Sequence, residues 1–434
     1  MKKKHPVLEG TIILTFAGLL SRMIGFYNRI FLSRVIGAKE LGIYQMIFPV
    51  YLLCFAICCQ GFQVGLSQLT AAQKSVSNSG NTRFLLRLTT LCCLLLASFI
   101  SAVLFLFSDF ISIHILSTPS AGPCLKIAAI AVPFVTVKGC IQGYYIGCGN
   151  SAIPASCQLI EQIVRVGSII LIASTFLYVK CAGAKLAVIG MTAGEIVSCL
   201  YTCIFLLKEH HKYRKPENPR RQLAKEFFRI SLPLSANRIC LTLLQSIEAI
   251  FIPRQMMLYY MDHTLTLELY GILTGITLPF LFFPSTLTNS MATMLLPSIS
   301  ADCKRKNYAH MNRTISLTTY GGFFMGLFFT SLFFLFGPWL GTIIFHSPTA
   351  GEYLRVLSFL CPALYLSSLF TSILNGMGRT NETFAHNIVS IIIRLLFIYF
   401  AIPHFGINGY IWGILISTFT LVILNYIQIQ KDLK

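Results

Sequence analysis

The chain has 434 residues, of which 55% are hydrophobic and only 11% are charged, and its formal net charge is +19. Soluble domains carry about 25% charged residues, so this composition excludes an ordinary soluble enzyme. The charges cluster between apolar runs of about 20 to 25 residues, the length that crosses roughly 30 Å of hydrocarbon. An all-α integral membrane protein is therefore predicted, because helices satisfy their own backbone hydrogen bonds in lipid.

Twelve membrane spans are predicted in chain order. They lie near residues 8–31, 41–66, 84–107, 124–147, 154–178, 186–207, 227–252, 270–297, 314–337, 353–376, 384–402 and 406–429. The opening segment MKKKHPVLEG precedes an apolar run that contains Arg22 and Arg29 and has no small-residue cleavage site. We therefore interpret it as a retained first helix rather than a signal peptide.

The positive charge indicates membrane topology rather than nucleic-acid binding. Eight of the 34 Lys and Arg residues lie in residues 208–229, which include the connection between the sixth and seventh spans and the start of the seventh. With a cytoplasmic N-terminus, the predicted cytoplasmic segments carry an excess of Lys and Arg, as the positive-inside rule requires. We therefore expect both termini in the cytoplasm and no nucleic-acid partner.

The second half of the sequence resembles the first at one constant shift, which aligns residue 42 with residue 271. The matched pairs are Gly42 with Gly271, Leu125 with Leu354, Lys126 with Arg355, Pro133 with Pro362, Gly147 with Gly376, Gly149 with Gly378, and Arg165 with Arg394. This pattern predicts two similar six-helix lobes, 1–207 and 227–434, joined by a basic cytoplasmic linker, 208–226. Two copies of even span number have the same orientation, are related by an axis along the membrane normal, and enclose a central cavity.

Prolines interrupt the eighth predicted span. Pro279 and Pro284 flank a segment that continues with polar residues, among them Asn289. Proline removes a helical hydrogen bond, so this span is expected to be kinked or broken. Broken helices often line the substrate path of a transporter, although proline kinks also serve plain packing.

Motifs of nucleotide-binding and hydrolytic enzymes are absent from the sequence. There is no GxxxxGKS or GxxxxGKT phosphate loop, no HExxH and no GxSxG. The 15 cysteines lie mostly within apolar runs and form no CxxC pair, so we interpret them as small apolar residues. We predict no enzyme activity, no metal and no cofactor, and the identity of any coupling ion stays open.

Cationic side chains within the spans indicate function, because a charge in hydrocarbon costs at least about 2.5 to 3.5 kcal/mol and tends to face a cavity. We predict a central cationic cavity for a phosphate- or pyrophosphate-bearing substrate, which suits arginine forks. The candidate binding residues are Arg22, Asn28, Arg29, Arg34, Lys138, Arg165, Arg238 and Arg394. Snorkelling or helix–helix packing is the alternative for each residue taken singly.

Three glutamates are candidate charge partners for these cations: Glu161, Glu195 and Glu248. Glu161 precedes Arg165 by four residues, the favourable order for an ion pair within a helix. The repeat places Ser390 at the position of Glu161, so Arg394 lacks that partner. On this reasoning Arg394 is the better candidate for contact with an anionic substrate.

The first-span segment SRMIGFYNRIFLSRVIGA, residues 21–38, resembles the opening helix of the multidrug/oligosaccharidyl-lipid/polysaccharide (MOP) exporter superfamily, and in particular that of MurJ-like lipid II flippases. Residues 270–300 resemble the branch of stage V sporulation protein B and the polysaccharide biosynthesis proteins. The glycine turns QGYYIGCGN and LNGMGRTN, which end the fourth span of each half, extend the likeness over nearly the whole chain.

This resemblance implies a V-shaped, MATE-like pair of lobes that flips an undecaprenyl-pyrophosphate-linked saccharide outward across the bacterial cytoplasmic membrane. Arg22 and Arg29 would contact the pyrophosphate. Asn28 stands where the flippase pattern has arginine, and Arg29 where it has an acidic residue. The branch commonly carries fourteen spans, two more than predicted here. The implied partners are the lipid-linked substrate, membrane lipids and the cell-wall synthesis machinery, and a monomer is expected.

An ion-coupled multidrug exporter is the alternative function. Organic cations would be repelled by a cationic cavity, so burial of the arginines against Glu161, Glu195 and Glu248 would favour the exporter. A scaffold, or an enzyme acting on polyprenyl phosphate, is a third class. Such an enzyme needs a large external loop with acidic or histidine residues, and the predicted external loops are short.

Overall fold

A computed structural model describes residues 6–75, 79–175, 183–208, 220–305 and 308–433, and every regular element in these ranges is helical. The helices are α1 (Pro6–Val35), α2 (Gly37–Phe55, a π-helical turn at Ala56–Gln60, and Gly61–Ser75), α3 (Ser79–Leu106), α4 (Gly122–Gly147), α5 (Ala152–Ala173), α6 (Ala184–Lys208), α7 (Arg220–Tyr260), α8 (His263–Phe282), α9 (Ser285–Arg305), α10 (Tyr308–Phe345), α11 (Pro348–Gly376), α12 (Thr380–Phe400) and α13 (Ile407–Leu433).

The predicted fold class is confirmed. Each of the twelve predicted spans coincides with one of these helices, except that the eighth is divided between α8 and α9. Within the described part of the chain, ten helices are long and apolar enough to cross a membrane. The chain is a multi-pass membrane protein.

Several helices end at other positions than predicted. α7 and α10 are 41 and 38 residues long and extend beyond the predicted spans. In both, helix-forming residues adjoin the apolar stretch on at least one side, so the helix continues through them. α5 ends at Ala173, ahead of the predicted end at residue 178. Most of the predicted linker, residues 209–219, lies outside the described residues, and its last part, from Arg220, belongs to α7.

The chain forms two compact units, Met1–Ile247 and Glu248–Lys434. The division falls within α7. The lobes 1–207 and 227–434 are defined by the sequence repeat rather than by contacts, and they stay a prediction.

The helix break that the prolines predict lies between α8 and α9. Phe283 and Pro284 belong to neither helix, because proline has no amide hydrogen and its ring collides with the preceding turn. A π-helical segment, Ile272–Thr277, precedes Pro279.

The backbone repeats at the same shift as the sequence. Ser117 and His346, which this shift aligns, both have φ of 52°. Gly149 and Gly378, another aligned pair, have φ of 73° and 83° and follow the ends of α4 and α11. Left-handed backbone at equivalent positions of two turns indicates that the two halves repeat the same turns.

Glycines set close helix contacts around α2 in the unit Met1–Ile247. A Cβ added to Gly143 of α4 would lie 2.6 Å from the carbonyl oxygen of Gln63. On the other side of α2, a Cβ added to Gly61 would overlap the backbone of Ser235 in α7. Small residues let membrane helices approach to backbone contact. The wall that α2 forms between α4 and α7 is therefore held at fixed spacing.

We expect Gly61→Ala to lower the free energy of unfolding by about 1–3 kcal/mol, the usual cost of overpacking, because Ser235 must move. The control is Gly321→Ala in α10, where an added Cβ meets nothing within 4 Å. The helix propensity of alanine makes that change neutral or slightly stabilising. Thermal unfolding of both variants in the same detergent measures the difference. Equal unfolding temperatures would contradict the close contact.

Candidate functional site

Four charged side chains from three helices form a buried charge network in the unit Met1–Ile247: Lys138 of α4, Glu161 and Arg165 of α5, and Glu195 of α6. Lys138 Nζ donates to Glu161 Oε2 at 2.8 Å and also to Glu195 Oε2. Arg165 Nη2 donates to Glu161 Oε1 at 2.6 Å. Two cations and two carboxylates make the network formally neutral.

The packing of α6 on α5 brings Glu195 to this network. A Cβ added to Gly194 would lie 2.8 Å from the carbonyl oxygen of Glu161, so the two backbones touch beside the charges. Lys138 and Glu195 are only 5% and 4% exposed. Charges this deeply buried must be paired, since the loss of one partner leaves an uncompensated charge out of water.

The structure confirms the predicted pair of Glu161 with Arg165 and adds two members to it. Sequence spacing within α5 identified the pair, whereas the contacts of Lys138 and Glu195 join helices that are distant in sequence. Nothing in the spacing of Lys138 and Glu195 indicates that they meet. The only signal available was that each is an ionisable residue inside an apolar run.

α1 packs against α5 and brings one of its predicted residues to the network. Arg29 lies within electrostatic range of Arg165 and of Tyr44. Asn28 is buried, at 7% exposure, while Arg22 and Arg34 are exposed. Of the four candidates on α1, the structure therefore associates Arg29 with the charge network.

Arg238 of α7 lines a separate cavity of about 380 Å³ in the same unit. The lining of this cavity includes neither Lys138 nor Arg165. It includes three glutamines that the sequence reasoning did not select, Gln60, Gln63 and Gln68 of α2. The sequence could have identified these glutamines, because they lie within or next to a predicted span, where polar side chains are uncommon.

Arg394 has a carboxylate partner in the unit Glu248–Lys434. Its Nε lies 2.7 Å from Glu248 Oε1, and Tyr410 donates to the same oxygen at 3.1 Å. Ser390, the repeat equivalent of Glu161, instead donates to a backbone carbonyl, that of Ser417. The expectation that Arg394 lacks a partner held only for its own helix, since the partner comes from α7. Its role as a substrate contact stays a prediction.

The residues of the broken span are placed as follows. Pro279 lies at the start of the α-helical turn that ends α8, and Pro284 lies at the break. Asn289 of α9 accepts a hydrogen bond from Ser368 of α11 at 2.6 Å, which gives it a packing contact. That these residues line a substrate path stays a prediction.

Two family models match the chain. Residues 7–302 match the polysaccharide biosynthesis protein family, and residues 254–400 match the MatE family. The first match covers more than half of the chain.

The chain is similar to several proteins of Bacillus subtilis (strain 168). Stage V sporulation protein B is 25% identical, in an alignment that covers 99% of this chain and 85% of that protein. The lipid II flippase MurJ is 21% identical, over 98% of this chain and 82% of that protein.

Solved structures share the fold. An outward-facing multidrug resistance MATE family transporter of the MOP superfamily superposes with a TM-score of 0.71 at 14% identity, covering 99% of this chain and 96% of that one. A MOP superfamily transporter from Pyrococcus furiosus, described as having a binding pocket of reverse polarity, gives 0.71 at 16% identity, with the same coverage.

We expect Lys138→Met to lower the free energy of unfolding by about 3–5 kcal/mol, because it leaves two buried carboxylates with one cation. Adding Glu195→Gln should recover part of this loss, since it removes the excess negative charge. Thermal unfolding of the two single variants and the double variant measures the coupling.

The matched control is Lys126→Met, which removes an ion pair with Asp109 at 2.7 Å on side chains that are 38% and 63% exposed. Such a pair contributes about 1 kcal/mol or less. Additive effects of Lys138→Met and Glu195→Gln would contradict the network.

Proposed function

The chain belongs to the polysaccharide biosynthesis protein family of the MOP superfamily, and we propose that it flips an undecaprenyl-pyrophosphate-linked saccharide outward across a bacterial cytoplasmic membrane by alternating access. The family's members are transporters rather than enzymes. Support for the substrate class comes from the relative named as a lipid II flippase, which aligns with almost the entire chain.

The observation that carries this proposal is the excess of positive charge in the membrane helices of the unit Met1–Ile247. The candidate site residues of this unit comprise six cations and two carboxylates. The cations are Arg22, Arg29, Arg34, Lys138, Arg165 and Arg238, and the carboxylates are Glu161 and Glu195. Such an excess favours an anionic substrate, and arginine matches the oxygens of a pyrophosphate with paired donors.

The electrostatic interaction of Arg29 with Arg165 gives the anion a way to act on the protein. A pyrophosphate bound at Arg29 would also attract Arg165, which is held by Glu161 at 2.6 Å and lies 3.9 Å from Glu195. The phosphate oxygens then compete with these carboxylates for the guanidinium. Binding would thereby rearrange contacts among α4, α5 and α6. The substrate would then stabilise the rearranged conformation more than the original one, which shifts the equilibrium between them.

We expect the wild-type gene to rescue a strain depleted of its own lipid II flippase, and Arg29→Ala to fail at matched expression, because the pyrophosphate loses a charge-assisted contact. Lys126→Ala, which alters an exposed ion pair, should rescue as well as wild type. Growth after depletion is the readout, with membrane insertion verified by immunoblot. Failure of a correctly inserted wild-type protein, or rescue by Arg29→Ala, would contradict the proposal.

A second candidate function, ion-coupled multidrug export, is favoured by a specific feature. Arg165 and Arg394 are both held by carboxylates, Glu161 and Glu248, which neutralise them. Residues 254–400 also match the MatE family. Neutralised arginines repel an organic cation less than unpaired ones do.

Ethidium efflux separates the two functions. Under the flippase proposal, expression in cells that lack their own exporters leaves ethidium accumulation unchanged, because the charge excess of the first unit repels the cation. Faster efflux that depends on an ion gradient, and that is lost in Glu248→Gln, would favour the exporter.

A further inference from the structure

The cavity of about 380 Å³ around Arg238 has an unusual lining for a membrane protein. We call it the glutamine cavity, after Gln60, Gln63 and Gln68 of α2, which share its wall with Ser67 and Arg238. Its apolar lining residues are Phe55, Val64, Gly143 and Ile146. Three amides, one hydroxyl and one guanidinium thus face a space that also offers apolar surface.

The polar groups of the glutamine cavity are available to a ligand. Within the described ranges, the side chains of Gln60, Gln63, Gln68 and Arg238 make no hydrogen bond to another residue. Each glutamine amide carries two donors and an acceptor oxygen, and the guanidinium carries five donors. The cavity therefore presents many directional hydrogen-bonding groups and only one charge.

The second half of the chain shows how such an amide is satisfied when it serves packing. At the shift that aligns the two halves, Gln60 corresponds to Asn289 and Gly139 to Ser368. Asn289 accepts a hydrogen bond from Ser368 at 2.6 Å.

A second glycine of α4, one turn further along, also stands where the second half has a serine. Gly143 corresponds to Ser372, whose hydroxyl donates to the carbonyl oxygen of Ala292. The first half has glycine at both serine positions, and glycine has no side chain that donates. Ser368, which donates to the amide of Asn289 in the second half, therefore has no counterpart that could donate to Gln60 in the first half.

The backbone around the glutamine cavity holds the amides in place. Gln60 ends the π-helical turn Ala56–Gln60, and such turns inside α-helices occur frequently at functional sites. Gly61 then contacts α7, and Gly143 of α4 contacts the backbone of Gln63. These contacts fix the wall before any ligand binds, which lowers the entropy cost of binding.

We propose that the glutamine cavity binds the saccharide portion of the transported lipid, an inference that rests on the proposed function. Sugar hydroxyl and acetamido groups both donate and accept hydrogen bonds, as glutamine amides do. The apolar residues suit the C–H faces of a sugar ring. The guanidinium of Arg238 can bind a carboxylate or phosphate that the sugar carries. A volume of about 380 Å³ lies in the range of small-ligand sites.

The test compares two lipids on the purified full chain in nanodiscs. The probes are undecaprenyl pyrophosphate, which has no sugar, and undecaprenyl pyrophosphate that carries a disaccharide of N-acetylated sugars. The variant is Gln60→Met with Gln63→Met, since methionine keeps the unbranched shape of glutamine and loses its hydrogen bonds. The matched control is Gln158→Met, an exposed glutamine of α5 outside the cavity lining. Thermal unfolding verifies that each variant is folded, and Gln60→Met alone replaces the double variant if it is not.

We expect wild type and Gln158→Met to bind the disaccharide lipid more tightly than the sugar-free lipid. The double variant should bind the disaccharide lipid about tenfold more weakly, because it lacks two amides, while its affinity for the sugar-free lipid stays within about twofold of wild type. Equal affinity of wild type for the two lipids, or a preference that survives in the double variant, would overturn the cavity assignment and leave flipping intact.

Two other outcomes separate the inference from the proposed function. Equal loss of affinity for both lipids in the double variant would show that the cavity serves the pyrophosphate or the fold, which overturns the saccharide assignment. Binding of neither lipid by wild type would overturn the proposed function itself, and the saccharide assignment with it.

Discussion

A charge inside hydrocarbon must be neutralised or must face water, and this constraint organises the first unit of the protein. Lys138, Glu161, Arg165 and Glu195 lie on three different helices and satisfy one another within hydrogen-bonding distance. The constraint fixes how α4, α5 and α6 are rotated, because a small rotation of any one of them would separate a buried charge from its partner.

The duplicated halves meet the same constraint with different residues. Arg165 and Arg394 are equivalent, yet the first is held by a carboxylate on its own helix and the second by Glu248 of α7. The turns that follow α4 and α11 have kept the same left-handed glycine conformation. Backbone geometry was thus retained in both copies while the charge partners changed, which allows one half to specialise without loss of the fold.

That divergence bears on function. In the first unit, glycine replaces the serine that donates to an amide side chain in the second, and the amides of α2 face a cavity instead. The same unit contains the excess of cations. Positive charge for a pyrophosphate and uncharged amides for a saccharide are complementary requirements of a lipid-linked sugar, whose headgroup has both parts. The neutral pairs Glu161–Arg165 and Glu248–Arg394 are the features that a drug exporter would share.

The sequence by itself determined the helical membrane class, the positions of the long apolar helices, the break at Pro284 and the pair of Glu161 with Arg165. Each of these depends on local properties: the length of an apolar run, the missing amide hydrogen of proline, or a spacing of four residues on one helix. Only the tertiary structure decided that Glu195 joins Lys138, that Glu248 neutralises Arg394, and that Gln60, Gln63 and Gln68 face a cavity with Arg238. Those contacts depend on which faces of distant helices meet, and the periodicity of a single helix carries no information about its neighbours.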